Sequence, residues 1–214
     1  GCILEKLDVS YQCTKIYKRT IKDFLVVTQM DSAKYYPMLK ESFILNTIWN
    51  GLYLKEFLMD NCIRFHEKIR YGCDDQIFNM DMYSLAKKIV INPECYYTWY
   101  QRQSHSTSAK YYKDKKDELC LMCEREEQLV DKLEVLNDKS NKVSDFWYRR
   151  MAFYLVEALF MICGPVSPLN KEEQIKEIRY IMNWPVFNRY IGGQMCSRLL
   201  HMRDKRFFPV FFYY

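Results

Sequence analysis

The chain has 214 residues, 49% of them apolar and 16% aromatic, which excludes an intrinsically disordered polypeptide and suffices for one buried core or a domain with an appended helical module. Its net charge of +5 is spread evenly, with 14 basic and 12 acidic residues in 1–108 and 18 and 15 in 109–214. A dedicated nucleic-acid binder concentrates its cations, so nucleic acid is not an expected partner. The longest apolar stretch, Met151 to Val166, is interrupted by Glu157 and stopped by Gly164-Pro165, too short to cross a bilayer. Nine cysteines lie scattered along the chain. Gly1-Cys-Ile-Leu-Glu5 is too short for a secretory leader and lacks its charged start, so reduced thiols, mostly buried as small apolar groups, are expected. Cys120-Leu-Met-Cys123 is a lone C-x-x-C in a helical stretch, which fits a buried helix face better than zinc.

In chain order, Val9 to Tyr17 and Ile21 to Val27 are rich in β-branched and aromatic residues and predict a hairpin about Lys18-Arg-Thr20, though no strong turn dipeptide marks it. Asp31-Ser32 starts a helix with Pro37 in its first turns, and a short helix over Leu52 to Met59 ends at Asp60-Asn61. Lys88 to Asn92 reads as a short strand ended by Pro93, and Cys95 to Arg102 as a second that opens into the polar loop Gln103–Ser108. From 109 onward the pattern is helical. Asp117 to Leu136 carries an apolar stripe, Asp145 to Cys163 is apolar enough for the centre of a bundle, and Lys171 to Asn183 follows Pro168 and Asn170. Trp184-Pro185 and Gly192-Gly193 punctuate the remainder. The last nine residues hold six aromatics behind a basic segment, Arg203 to Arg206. Such a tail docks on its own core, or else lies against a membrane surface.

Between these elements stands an adjacent carboxylate pair, Asp74-Asp75, just after Gly72. The following apolar residues, Ile77, Phe78, Met82 and Leu85, have helical spacing, so the pair lies at a helix N-terminus, where the dipole and free N–H groups favour anions. The pair can be a cap, or one member can be a catalytic base. Trp49 reads as a buried anchor or, with Asn50, as part of a pocket floor. Arg102 and His105, in and beside a loop rich in hydroxyls, suit phosphate or sugar, though the loop also suits a plain helix cap.

Four blocks in order bear on that choice: Trp49-Asn-Gly-Leu-Tyr-Leu-Lys-Glu-Phe-Leu58; Ile63-Arg-Phe65 with Gly72, Asp74-Asp75 and Phe78-Asn79; Ala86-Lys-Lys-Ile-Val90 with Pro93 and Tyr96-Tyr97; and Tyr100-Gln-Arg102 before the Ser/Thr cluster. Together they resemble the second half of the catalytic domain of bacterial family 2 glycosyltransferases of the GT-A type, over residues 45 to 108. Where that family often has Lys or Arg, this chain has Gly51, and Asp74 stands where Glu is more usual.

The resemblance implies an α+β, mostly helical fold: a partial GT-A domain with a few short strands over 1–108, then a C-terminal helical domain over 109–214. It implies sugar transfer, with inversion, from a nucleotide-sugar donor to a polysaccharide, teichoic-acid or lipid-linked acceptor in cell-envelope biosynthesis. Asp75 would be the base that takes the acceptor proton, with Asp74 beside it, and Trp49, Asn50, Tyr71, Arg102 and His105 would bind substrate. The donor half, with the Asp-x-Asp that holds Mg²⁺ or Mn²⁺ in the full-length enzyme, has no counterpart here, so this chain is expected to bind no metal and to be inactive alone. A cytoplasmic place, at the inner face of the membrane if the aromatic tail touches lipid, goes with that reading. So does self-association through the face that the missing half would cover. The competing reading is a non-catalytic helical interaction module, with Asp74 and Asp75 as solvent-facing caps.

Overall fold

The computed structural model describes residues 1–8, 10–69, 72–102, 110–133 and 141–186. Among them run five strands and six helices: β1 (Cys2–Leu7), β2 (Cys13–Arg19), β3 (Leu25–Thr28), α1 (Ser32–Glu41), α2 (Lys55–Asp60), α3 (Asp74–Leu85), β4 (Lys88–Ile91), β5 (Tyr97–Arg102), α4 (Lys115–Lys132), α5 (Asn141–Cys163) and α6 (Lys171–Met182). The fold is α+β and mostly helical. Its contacts divide the chain into two compact units, Gly1–Lys110 with Arg125–Asp138, and Tyr111–Glu124 with Lys139–Tyr214.

In the first unit β1 is central, antiparallel to β2 and parallel to β5. The parallel pair is reached only after the long excursion through α1–α3, as a parallel connection requires. The hairpin differs from the expected one: β1 pairs with β2, and the reversal lies at Asp8–Gln12, not at Lys18–Thr20. The physical cause is a side-chain turn. Asp8 Oδ1 accepts from the N–H of Ser10 at 2.8 Å and of Gln12 at 3.0 Å, so one carboxylate closes a bend that no Gly or Pro dipeptide announces. Of Ile21 to Val27 only the end becomes strand, as β3, which pairs antiparallel with β4.

Helix α1 starts at the expected Ser32 and carries Pro37 inside it. Its buried face is Ser32, Tyr36, Leu39 and Lys40, spaced as one helical stripe. Helix α3 buries Ile77, Phe78, Asn79, Met80 and Tyr83. Tyr83 Oη ties the two faces together by donating to the Ser32 carbonyl at 2.7 Å, and Tyr36 Oη of α1 donates to Glu126 Oε1 of α4 at 2.8 Å. Lys40, almost wholly buried, donates through Nζ to Gln76 Oε1 at 2.9 Å, which satisfies part of an ammonium that burial would otherwise penalise.

In the second unit Leu119, Met122 and Cys123 of α4, Trp147, Met151, Tyr154, Leu155, Ala158 and Leu159 of α5, and Ile178 and Ile181 of α6 form the core. α6 opens on a capping box: Asn170 accepts from the Glu173 N–H at 3.0 Å, and the Glu173 carboxylate accepts from the Asn170 N–H at 2.9 Å. Of the C-x-x-C pair, Cys123 lies in this interior and Cys120 is half-buried beside it. Cys123 Sγ lies 3.1 Å from Met151 Sδ, and burial, with Glu124 adding, pushes the Cys120 thiol up to about 12. Among the described residues no helix is long and apolar enough to cross a membrane.

Candidate functional site

Helix α3 begins at Asp74, with both acids in its first turn, but neither caps it: the cap position is Cys73, which makes no side-chain cap bond. Asp75 is half-buried and turns toward the preceding segment, where its Oδ2 accepts from the Ile48 N–H at 3.4 Å. Burial, and then the neighbouring Asp74 charge, raise the Asp75 carboxyl above its ordinary value, with the Ile48 bond opposing them. A carboxylate held in this way binds a proton more strongly than a free one.

The segment that meets Asp75 is fixed by a residue of the same helix. Asn79 is buried and makes three hydrogen bonds: Nδ2 donates to the carbonyls of Leu45 at 3.2 Å and Thr47 at 3.0 Å, and Oδ1 accepts from Tyr53 Oη at 2.8 Å. The Tyr53 phenol is pushed up to about 12, by burial first and then by the Asp75 charge, so it stays a donor at all ordinary pH. Asn50 turns its amide inward, donating to the Ile44 carbonyl at 3.1 Å, which closes the 44–50 bend. Trp49 is half-buried and stacks on Tyr97 of β5, with ring centres 4.4 Å apart and 28° between planes, and lies 6.0 Å from Trp99. Of the two readings of Trp49 the geometry contains elements of both: one ring face is packed, yet the residue is not closed off. Gly51 packs against Tyr53. A Cβ there would meet the phenol oxygen at 2.8 Å, so a Lys or Arg at this position would displace Tyr53 from Asn79.

Five of the seven candidate residues fall within the described chain. Asp74, Asp75, Trp49 and Asn50 come together around the N-terminus of α3 and the 44–50 bend. Arg102 does not join them. Strand alternation puts it with Thr98 and Tyr100, on the face of the sheet opposite Tyr97, Trp99 and Gln101; its guanidinium lies 5.6 Å from the Tyr11 ring centre. Tyr71 and His105 lie outside the described residues, as does the aromatic tail. Tyr53 and Asn79 brace this region and are passed over by the sequence reading, although both stand in the quoted blocks; an Asn directly after the apolar pair Ile77-Phe78 on α3 is the available signal.

Among the described residues no three His, Cys, Asp or Glu side chains converge as metal ligands. Comparison of the chain with protein families, curated proteins and solved structures found no match.

Proposed function

We propose that residues 1–108 are the acceptor side of a GT-A glycosyltransferase and that Asp75 is its base. The observation that carries this reading is the half-buried Asp75 carboxylate, raised above its ordinary value and held at the segment bearing Trp49. In the reaction the acceptor oxygen attacks the anomeric carbon of the donor, its proton passes to Asp75, and the bond to the nucleoside diphosphate breaks with its electron pair leaving on the diphosphate. A base whose affinity for protons is raised toward neutrality does this better than an exposed carboxylate. Asp74 contributes charge that lifts Asp75. Tyr53 and Asn79 position the 44–53 segment, and Trp49 offers an aromatic ring edge to a sugar. The solvent-facing caps of the competing reading fit Asp75 less well, since it bonds to Ile48 and not to its own helix. The Mg²⁺ or Mn²⁺ of such enzymes belongs to an Asp-x-Asp that this sequence does not contain, and no step above passes through it.

Two measurements test the reading. Titrating the 214-residue chain with hexose disaccharides and glycerol-phosphate oligomers, followed by amide NMR, should shift Ile48, Trp49 and the first turn of α3. In a chain extended by whatever is encoded upstream of Gly1, sugar transfer from nucleotide-sugars should fall about a hundredfold or more in D75N. Undiminished transfer by D75N, or saccharides that leave the 44–53 segment unmoved, would overturn it.

A further inference from the structure

The sheet face that bears Trp99 carries a row of cations. The register sets Lys6 of β1 directly opposite Lys15 of β2 and, on the other side, opposite Gln101 of β5; the neighbouring rows are Tyr17–Leu4–Trp99 and Arg19–Cys2–Tyr97. Like charges directly opposite each other destabilise a strand pair, so Lys6 against Lys15 is a conflict between sequence and fold. Their ammonium groups lie 5.5 Å and 4.9 Å from the centre of the same Tyr17 ring. The Arg19 guanidinium lies 4.4 Å from the centre of the Phe43 ring and 5.9 Å from that of Trp99. Among the described residues no carboxylate comes within salt-bridge distance of Lys6, Lys15, Lys18 or Arg19.

Beside these residues opens a cleft of about 570 Å³, with Leu4 at its floor and Lys6, Tyr17, Lys18, Arg19 and Phe43 in its walls. Phe43 reaches it from a left-handed backbone conformation, φ 63°, which a bulky residue rarely adopts. The Lys15 ammonium above all, with the charges of Lys6 and Arg19 adding, holds the Tyr17 phenol below its usual value, so the local potential is positive. On this face Lys6, Lys15 and Arg19 against the carboxylate of Glu41 leave a local charge of +2, the complement of a phosphate monoester near neutral pH. The volume suits a small ligand, and the cations are too localised to track a polyanion.

We propose that this cleft binds a small phosphate ester, with Arg19, Lys6 and Lys15 on the phosphate and the rings of Tyr17 and Phe43 beside the organic part. The guanidinium can take two phosphate oxygens at once, while each ammonium acts as a point charge. The proposal stands apart from sugar transfer: its failure would leave Asp75 untouched, and the loss of the Asp75 reading would leave the cleft.

Calorimetric titration of the full chain tests it, with glucose 1-phosphate, inorganic phosphate and uncharged methyl glucoside as probes. Glucose 1-phosphate should bind and methyl glucoside should not, with affinity falling as salt rises. R19Q and K6Q should each weaken it about tenfold or more. Arg19 packs on Phe43, so K6Q, on an exposed side chain, carries the test even if R19Q folds poorly. Vesicles of phosphatidylglycerol, with phosphatidylcholine as control, distinguish the source. Lys6-dependent binding to those vesicles without binding of the soluble esters assigns the phosphate to a lipid headgroup; the converse assigns it to a free ester. Equal binding by methyl glucoside, affinities unchanged in both variants, or no binding of any phosphate probe would each overturn the proposal.

Discussion

Replacing Asn79 with Ala should cost about 3 kcal/mol, because one buried amide closes three connections at once. The variant removes the donors to Leu45 and Thr47 and the acceptor of Tyr53 Oη. Each intact bond contributes about 1 kcal/mol net, and a buried partner left unpaired costs about 1–3 kcal/mol where water cannot replace the amide. Against a whole-domain stability of about 5–15 kcal/mol that is a large fraction. Urea unfolding gives the total, and amide exchange locates it: protection should be lost first over 44–53 and in the first turns of α3. N79D sharpens the test. It keeps the size and the Tyr53 acceptor but turns an oxygen toward two carbonyl oxygens, so at pH 7 it should be no more stable than N79A. Burial raises the proton affinity of the introduced carboxyl, so as pH falls through its folded value toward the unfolded one of about 3.9 it is protonated, can donate again, and the deficit should narrow. A loss under about 1 kcal/mol in N79A, with exchange over 44–53 unchanged, would refute the reasoning, since the segment facing Asp75 would then be held by something other than α3.

Other outcomes follow from the same geometry. D75N should be more stable than the parent at pH 7: the raised carboxyl binds its proton more tightly in the folded chain, so the parent loses stability as pH rises from the unfolded value of about 3.9 through the folded one, and the advantage of D75N should vanish in thermal unfolding at about pH 3. E177Q should cost about 2 kcal/mol in urea unfolding, because Lys116 Nζ and Glu177 Oε2 lie 3.0 Å apart with side chains only 10% and 21% exposed. Burial pulls the Lys116 ammonium down, but the Glu177 bond and the charges of Asp117 and Glu177 outweigh it, so this stability holds below the unfolded lysine value of about 10.4 and is lost as pH rises through the folded one. N170A should cost about 1 kcal/mol and N170S almost nothing, read from the same unfolding curves.

The helices were legible because their signals are local. The Asp31-Ser32 start, the acids at the head of α3 and the Asn170 cap each sit within one turn of the residues they serve. Helix α2 begins three residues later than its apolar pattern, at Lys55, since Leu52 to Leu54 precedes the helix and Leu54 is itself extended. The hairpin was not legible, because a single Asp8 carboxylate makes its turn and because Cys2 to Leu7 alternates too weakly to stand out before β2 and β5 flank it. At the site, a helical pattern could place Asp75 at an N-terminus. It could not show that the side chain leaves its helix for Ile48, nor that Arg102 falls on the far side of its strand, because both depend on pairings dozens of residues apart.

The two units differ in how closely they follow the rules of stable design. In the second, a buried ammonium has its carboxylate and a helix start has both halves of its box. The first breaks several rules: adjacent carboxylates with one half-buried, two lysines opposed across a strand pair, a phenylalanine in the left-handed region, and a tryptophan left half-buried. Sequences tolerate such departures where a ligand or a reaction compensates them. Packing defects without function would behave differently, since their repair would raise stability and leave binding and transfer as they were. If D75N gains stability while transfer falls, and K6Q does not lower stability while phosphate binding falls, the departures belong to two sites of one unit, each removable without the other.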